Sequence, residues 1–185
     1  MNTTFNLGDG YSLVLANSNQ AKEITEVVNQ AYGKRFNKYI VEDQNHPLDR
    51  TSAEKIKELI SDPNNQLFVL VHNEVVCGTI CYVKRPASKK SGYFGMFSLA
   101  ETLQKKDVST KMIKAIENLA KTEGKIKMKI DVSGFAKPLQ QRYESWEYYR
   151  TGKKIKWEKN IHWKLAPDYK DHPDSDFDIM KKKLT

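Results

Sequence analysis

Cysteine is scarce in this chain: only Cys77 and Cys81 occur. Both fall in one apolar stretch that reads as a strand. Residues i and i+4 of a strand share a face but stand roughly 13 Å apart at about 3.3 Å per residue, farther than a disulfide tolerates. They read as small core residues. There is no Cys-x-x-Cys pair and no Cys/His cluster, so no metal site is expected. Long apolar runs are missing too, and nothing approaches the roughly 18–20 residues that a membrane helix needs. The start, Met1-Asn-Thr-Thr-Phe-Asn6, has neither the basic residues nor the apolar stretch of a secretory signal. A cytoplasmic protein with no membrane contact is the expectation. Internal repeats, low-complexity tracts and recognised nucleic-acid-binding motifs are likewise lacking, which leaves a nucleic-acid partner suggested only by charge and scattered aromatic residues.

What is present suits a globular protein. The chain has 185 residues, 39% hydrophobic and 29% charged, enough to bury a core and too apolar for wholesale disorder. Residues 1–185 read as a single domain. The formal charge of +8 fits phosphate-bearing ligands as well as nucleic acid. Its lysines are spread along the chain, so a solvated basic surface accounts for them equally well.

After a flexible start, Tyr11–Ala16 alternates as a strand, and Asn17 or Ser18 caps a helix carrying Ile24, Val27, Val28 and Ala31. Residues 33–50 show no period and read as a loop with one short turn. Thr51 or Ser52 opens a second helix with Ile56, Leu59 and Ile60 on its buried stripe, and Asp62-Pro63 stops it. Strands follow at Gln66–His72 and Val75–Val83, joined by the Asn73-Glu74 turn, and at Tyr93–Ala100. Ser109 or Thr110 begins a long helix that ends before Gly124. Lys125–Ser133 alternates cleanly, Pro138–Trp146 is a short helix, and Lys153–Trp157 and Asp176–Lys183 are strands. Residues 161–175 show no period. Antiparallel hairpins followed by a strand–helix–strand crossover give an α/β (α+β) fold. Its sheet is mixed and mostly antiparallel, of about six or seven strands, with helices on both faces.

Two stretches resemble the GNAT N-acetyltransferase family. Gly95–Ile113 is similar to the family's strand–loop–helix segment, with Gln104 at the Gln/Arg position, Asp107 at the first glycine and Ser109 at the second small residue of Gln/Arg-x-x-Gly-x-Gly/Ala. Leu139–Gly152 resembles Tyr-Glu-x-x-Gly-Phe-x-x-Thr-Gly. Tyr143-Glu144 and Thr151-Gly152 are kept, Tyr148 stands for Phe, and Glu147 replaces the glycine. Arg50-Thr51-Ser52 and the terminal strand add weaker support, so the likeness covers nearly the whole chain.

The resemblance implies acetyl-CoA as cosubstrate, an amine as acceptor and no metal. The pyrophosphate would lie on Gln104, Lys105, Lys106, Asp107, Val108, Ser109 and Thr110, where helix N–H groups and the helix dipole favour anions. Asp107 adds a negative charge there, which Lys105 and Lys106 offset in part. Backbone groups of Phe97, Ser98 and Leu99 would hold pantetheine and polarise the thioester carbonyl. Tyr143 would be the general acid for the departing thiolate, a suitable donor at a phenol pKa of about 10. The amine's proton needs an acceptor, and Glu42, Asp131, His72 or relayed water remain open. Three functions compete: an active N-acetyltransferase, a coenzyme A-binding module that has lost catalysis, and a basic nucleic-acid-binding domain.

Overall fold

The computed structural model describes residues 3–41, 49–84, 89–103, 107–161 and 163–185, with the side chains of Lys34 and Asn160 excepted. Thr4–Gly8 (β1) and Tyr11–Leu15 (β2) form an antiparallel hairpin whose turn, Gly8-Asp9-Gly10, has positive φ throughout. Thr4–Gly8 is therefore a strand where a flexible start was expected. Leu7 is buried and Phe5 packs on the core. Asn17 and Gln20 close a capping box ahead of Ala21–Phe36 (α1). That helix runs past the point where periodicity fades, because Phe36 is buried against Trp157 and Trp163 from the far end of the chain. Ile40–Val41 (β3) follows, so the expected loop over 33–50 is partly helix and strand.

Ser52 caps Ala53–Ser61 (α2), its Oγ accepting from the Lys55 N–H at 3.3 Å. Asn65–His72 (β4) and Val75–Val83 (β5) join through Asn73 and Glu74 at φ 49° and 66°, the pair of positive values that a tight primed turn requires. Then come Ser91–Leu99 (β6), Val108–Thr122 (α3), Lys127–Ser133 (β7) and Lys137–Ser145 (α4). Tyr149–Ile155 (β8), Trp157–Asn160 (α5), Lys164–Leu165 (β9) and Phe177–Lys183 (β10) complete the chain.

The main sheet has eight strands in the order β1-β2-β4-β5-β6-β7-β10-β8, one more than the upper expectation, and the additional strand is β1. Every neighbour pair in it is antiparallel except β6 with β7. β3 pairs with β9 in a separate two-stranded ribbon. α3 and α4 pack on one face through Met112, Ile113, Ile116 and Tyr143, and α1 and α2 on the other through Ile24, Val28 and Ile56. The fold class is as expected, a mixed and mostly antiparallel sheet covered by helices on both faces.

The two cysteines do not share a face. Leu70 pairs with Gly78 and Val71 with Val76, so Cys77 is an extra residue in β5. A bulge of this kind reverses the alternation beyond it. Cys77 packs toward the α3 side and Cys81 toward the α1 side, and both thiols are free.

Candidate active site

A second bulge shapes the centre of the sheet. Thr79 pairs with Ser98 and Cys81 with Gly95, so three steps of β6 oppose two of β5. The irregularity falls at Met96, held at φ 48°, a left-handed conformation uncommon for such a side chain. The buried Thr79 hydroxyl donates to the Met96 carbonyl at 2.6 Å and helps to hold it there. On its other edge β6 pairs with β7 only from Ser91 to Tyr93, opposite Lys127 to Lys129. Beyond that the two parallel strands part. Gly95, Met96 and Phe97 line one side of the gap, and Ile130, Asp131 and Val132 the other. A parting in mid-sheet turns main-chain N–H and C=O groups toward a ligand, and an extended, amide-bearing chain can pair with them like a strand.

The gap adjoins a cleft of about 520 Å³, within the size range of small-molecule sites. Phe97, Leu99 and Ser109 line it, as do Leu139 and Arg142 of α4 and Trp146 just past its end. Arg35, Lys38, Tyr39 and Phe135 close the far wall. Gly134 makes the corner from β7 into that wall possible, since a Cβ there would sit 2.5 Å from the Asp174 carbonyl oxygen.

Tyr143 lines the gap opposite the bulged strand. It is 4% exposed, so little of the side chain meets bulk water. Its ring packs against Phe94, Trp146 and Tyr148. Burial pushes the phenol pKa up, Tyr32 adds to the rise and Arg35 opposes it. Tyr143 is therefore held protonated around neutral pH, the state a proton donor needs.

The first turn of α3 is tied to α4. Arg142 Nη2 donates to Ser109 Oγ at 3.1 Å, and Trp146 Nε1 donates to Thr110 Oγ1 at 3.1 Å. The Arg142 guanidinium lies 5.1 Å from the Trp146 ring centroid. A cation thus stands at the positive end of α3, on the wall of the cleft. Asp107 is the N-cap at φ −67° and ψ −12°, an ordinary helical conformation. Its side chain makes no capping bond, while its carbonyl accepts from the Thr110 and Lys111 N–H groups. No positive φ demands glycine at this position. Val108 is buried in the core, and Ser98 is buried with its Oγ unpartnered among the described residues.

Among the expected site residues, Tyr143 and Phe97 meet at the gap, and Phe97, Leu99 and Ser109 share the cleft. Gln104, Lys105, Lys106 and Glu42 lie outside the described residues. Asp131 lines the gap. His72 is elsewhere, stacked on Tyr11 at 4.3 Å in a separate depression with Asn73 and Cys77. Arg142 and Trp146 were not legible as site residues. The available signal was spacing: Leu139, Arg142 and Trp146 lie three and four apart, one face of a helix. Among the described residues no group of three or more His, Cys, Asp or Glu side chains could hold a metal ion, and no helix is long and apolar enough to cross a membrane.

Glu147 explains why its position favours glycine. It leaves α4 at φ 68°, the left-handed conformation that terminates many helices. Its carboxylate is exposed and 3.4 Å from Lys182 Nζ, an arrangement worth little at the surface. Glu147→Gly removes a side chain that disfavours this φ by roughly 1–2 kcal/mol and costs about 0.5–1 kcal/mol in chain entropy. Chemical denaturation should show a net gain of about 0.5–1 kcal/mol, with ligand binding unchanged.

A sequence profile of the acetyltransferase (GNAT) family matches residues 24–148. The chain belongs to that family. No curated protein sequence matches it. Among solved structures it is similar to Ard1 from Thermoplasma volcanium, at a TM-score of 0.70 and 11% identity over 95% of this chain and 99% of that one. RimL, a ribosomal L7/L12 alpha-N-protein acetyltransferase, superposes at a TM-score of 0.70 and 11% identity over 100% of this chain and 96% of that one. A GNAT family acetyltransferase from Elizabethkingia anophelis, solved with acetyl-CoA bound, gives 0.63 and 13% identity over 96% of this chain and 100% of that one. At these identities the likeness is one of fold.

Proposed function

We propose that this chain transfers an acetyl group from acetyl-CoA to an amine, and that residues 1–185 act as one domain, since the main sheet takes strands from Thr4 to Lys183. The observation that carries the reading is the parting of β6 from β7 beside a buried, protonated tyrosine. The gap suits the pantetheine arm, whose amides pair with strand backbone. The first turn of α3, with Ser109, Thr110 and Arg142, suits the pyrophosphate. The amine nitrogen forms the new C–N bond as the C–S bond breaks. Tyr143 gives its proton to sulfur and regains one from solvent, and the amine's surplus proton leaves to water or to Asp131.

Calorimetric titration with acetyl-CoA and coenzyme A tests the first half, with sub-millimolar binding expected. Turnover against mixed amino acids, polyamines and peptides tests the second. A coenzyme A-binding module without turnover is the second reading, favoured by Asp107, which puts a carboxylate at the N-cap of α3 where the resemblance expects glycine. Binding without acetylation of any acceptor would establish it.

Arg142 provides a sharper test. Charge-assisted hydrogen bonds to phosphate contribute about 1.5–3 kcal/mol, so Arg142→Gln should weaken coenzyme A at least about tenfold. Pantetheine, which carries no phosphate, should bind the variant as it binds the parent. Equal losses for both ligands would assign Arg142 to packing alone.

A further inference from the structure

The acceptor side of the larger cleft carries cations without counter-charges. Arg35 and Lys38 line it, and no Asp or Glu does among the described residues. The Arg35 guanidinium rests 5.9 Å from the ring centroids of Tyr32 and Phe36, and it makes no ion pair among the described residues. Lys38 Nζ lies 4.6 Å from the Tyr39 ring centroid. Arg50 approaches Tyr32 from another side at 5.5 Å, and its Nε is buried without a partner among the described residues. Asn29 holds that arginine's neighbour in place, giving to the Thr51 carbonyl and accepting from the Thr51 N–H, each at 3.0 Å. Aromatic faces can seat guanidinium groups, but they leave its in-plane N–H donors to find acceptors.

Arg35 also lines the gap, and its charge is felt by the Tyr143 phenol. It therefore stands where the two cavities meet, at the reacting end. Arg142 lines the cleft but not the gap, and it is hydrogen-bonded to Ser109 in the first turn of α3. Phosphates held there leave Arg35 and Lys38 for a second anion.

We infer that the acceptor is an amine carrying its own anionic group, a carboxylate or phosphate a few bonds from the nitrogen, and that Arg35 receives that group with Lys38 beside it. This rests on the acetyl-transfer reading. The guanidinium takes such a group through two parallel N–H bonds and so fixes the direction of the amine. A polyamine meets two cations in the cleft, where no acid among the described residues offsets them; Asp131 lies in the adjoining gap. The free amine nitrogen attacks the thioester carbonyl, the C–N bond forms, the C–S bond breaks, and the thiolate takes the Tyr143 proton. The anionic group takes no part in bond exchange and serves to position the nitrogen.

Steady-state turnover with acetyl-CoA tests this on β-alanine, β-alanine methyl ester, aminoethyl phosphate and putrescine. For the parent, kcat/KM for one or both anionic amines should exceed the ester and putrescine at least about tenfold, and the two anionic arms tell carboxylate from phosphate. Arg35→Gln should erase most of the preference. Lys38→Gln alters an exposed residue, leaves the fold undisturbed and should erase part of it. Acetyl-CoA affinity should stay the same in Lys38→Gln, and in Arg35→Gln it should change less than kcat/KM for the anionic amine. Putrescine or the ester acting as well as the anionic amines would overturn the inference. If acetyl-CoA binds but no amine is acetylated, the transferase reading fails separately. Calorimetry of N-acetyl-β-alanine and of inorganic phosphate, with and without coenzyme A, then decides. Binding lost in Arg35→Gln supports the anion site, and no binding, or equal binding in parent and variant, overturns it.

Discussion

Replacing Tyr143 with phenylalanine is expected to lower turnover by roughly 10²–10⁴-fold, the range for a positioned general acid, while acetyl-CoA binding survives. Phenylalanine keeps the ring contacts with Phe94, Trp146 and Tyr148 and removes only the hydroxyl. Burial raises the phenol pKa from its ordinary 10.0. The sign follows directly: a raised pKa keeps the proton on through the neutral and mildly alkaline range. Turnover of the parent should therefore show no alkaline loss from this group until above about pH 10. An alkaline limb near pH 8 that vanishes in Tyr143→Phe would contradict the burial of the donor. Binding lost together with turnover would mean that the hydroxyl serves structure. Undiminished turnover would remove Tyr143 from the chemistry.

What the sequence showed and what it hid follow from the range of the interactions. Asn17, Ser52, the Asn73-Glu74 turn and the alternation of Lys125–Ser133 are local signals, and the corresponding elements form there, the last of them starting two residues later, at Lys127. β1 was equally local, since Phe5 and Leu7 alternate before a Gly-Asp-Gly turn, but five residues gave too short a pattern to stand out. Bulges leave no such trace. Cys77 and Met96 look like ordinary strand positions, and only pairing with neighbouring strands reveals that each breaks the alternation. That is why the cysteines were placed on one face and the parting of the sheet beside Met96 was not foreseen. The motif residues Tyr143 and Ser109 were visible through resemblance, whereas Arg35 and Lys38 join the cleft only once α1 is packed on the sheet. Positive φ at Glu147 turns an apparent defect of the motif into a local backbone cost.

The terminal segment hid the most. Residues 161–175 showed no period, and Trp157 was read as the end of a strand, yet it begins α5 and is 1% exposed. Its ring contacts Phe36, Phe135 and Phe177, and its Nε1 donates to the Trp163 carbonyl at 2.6 Å. A four-residue helix cannot hold itself, so this side chain fastens the segment to α1 and to the exit of β7. Trp157→Ala should cost about 3–5 kcal/mol through the cavity and the unpaired carbonyl. Against a total stability of roughly 5–15 kcal/mol that is a large fraction. Trp157→Phe, which keeps most of the ring and loses the hydrogen bond, should cost less than half as much. Function should follow packing: Phe135 stacks on Tyr39 at 4.2 Å and 11° on the wall of the cleft, and Trp157 packs edge-on against Phe135. On the proposed reading the KM for the acceptor should therefore rise more in the phenylalanine variant than the Kd for acetyl-CoA, because that reading places coenzyme A against α3 and α4, which Trp157 does not touch in its ring contacts. Urea denaturation reads the first effect, and paired kinetics and calorimetry read the second. Equal weakening of both ligands would show that the bracing extends across the whole cleft, and unchanged stability in Trp157→Ala would mean that the ring is not buried as described.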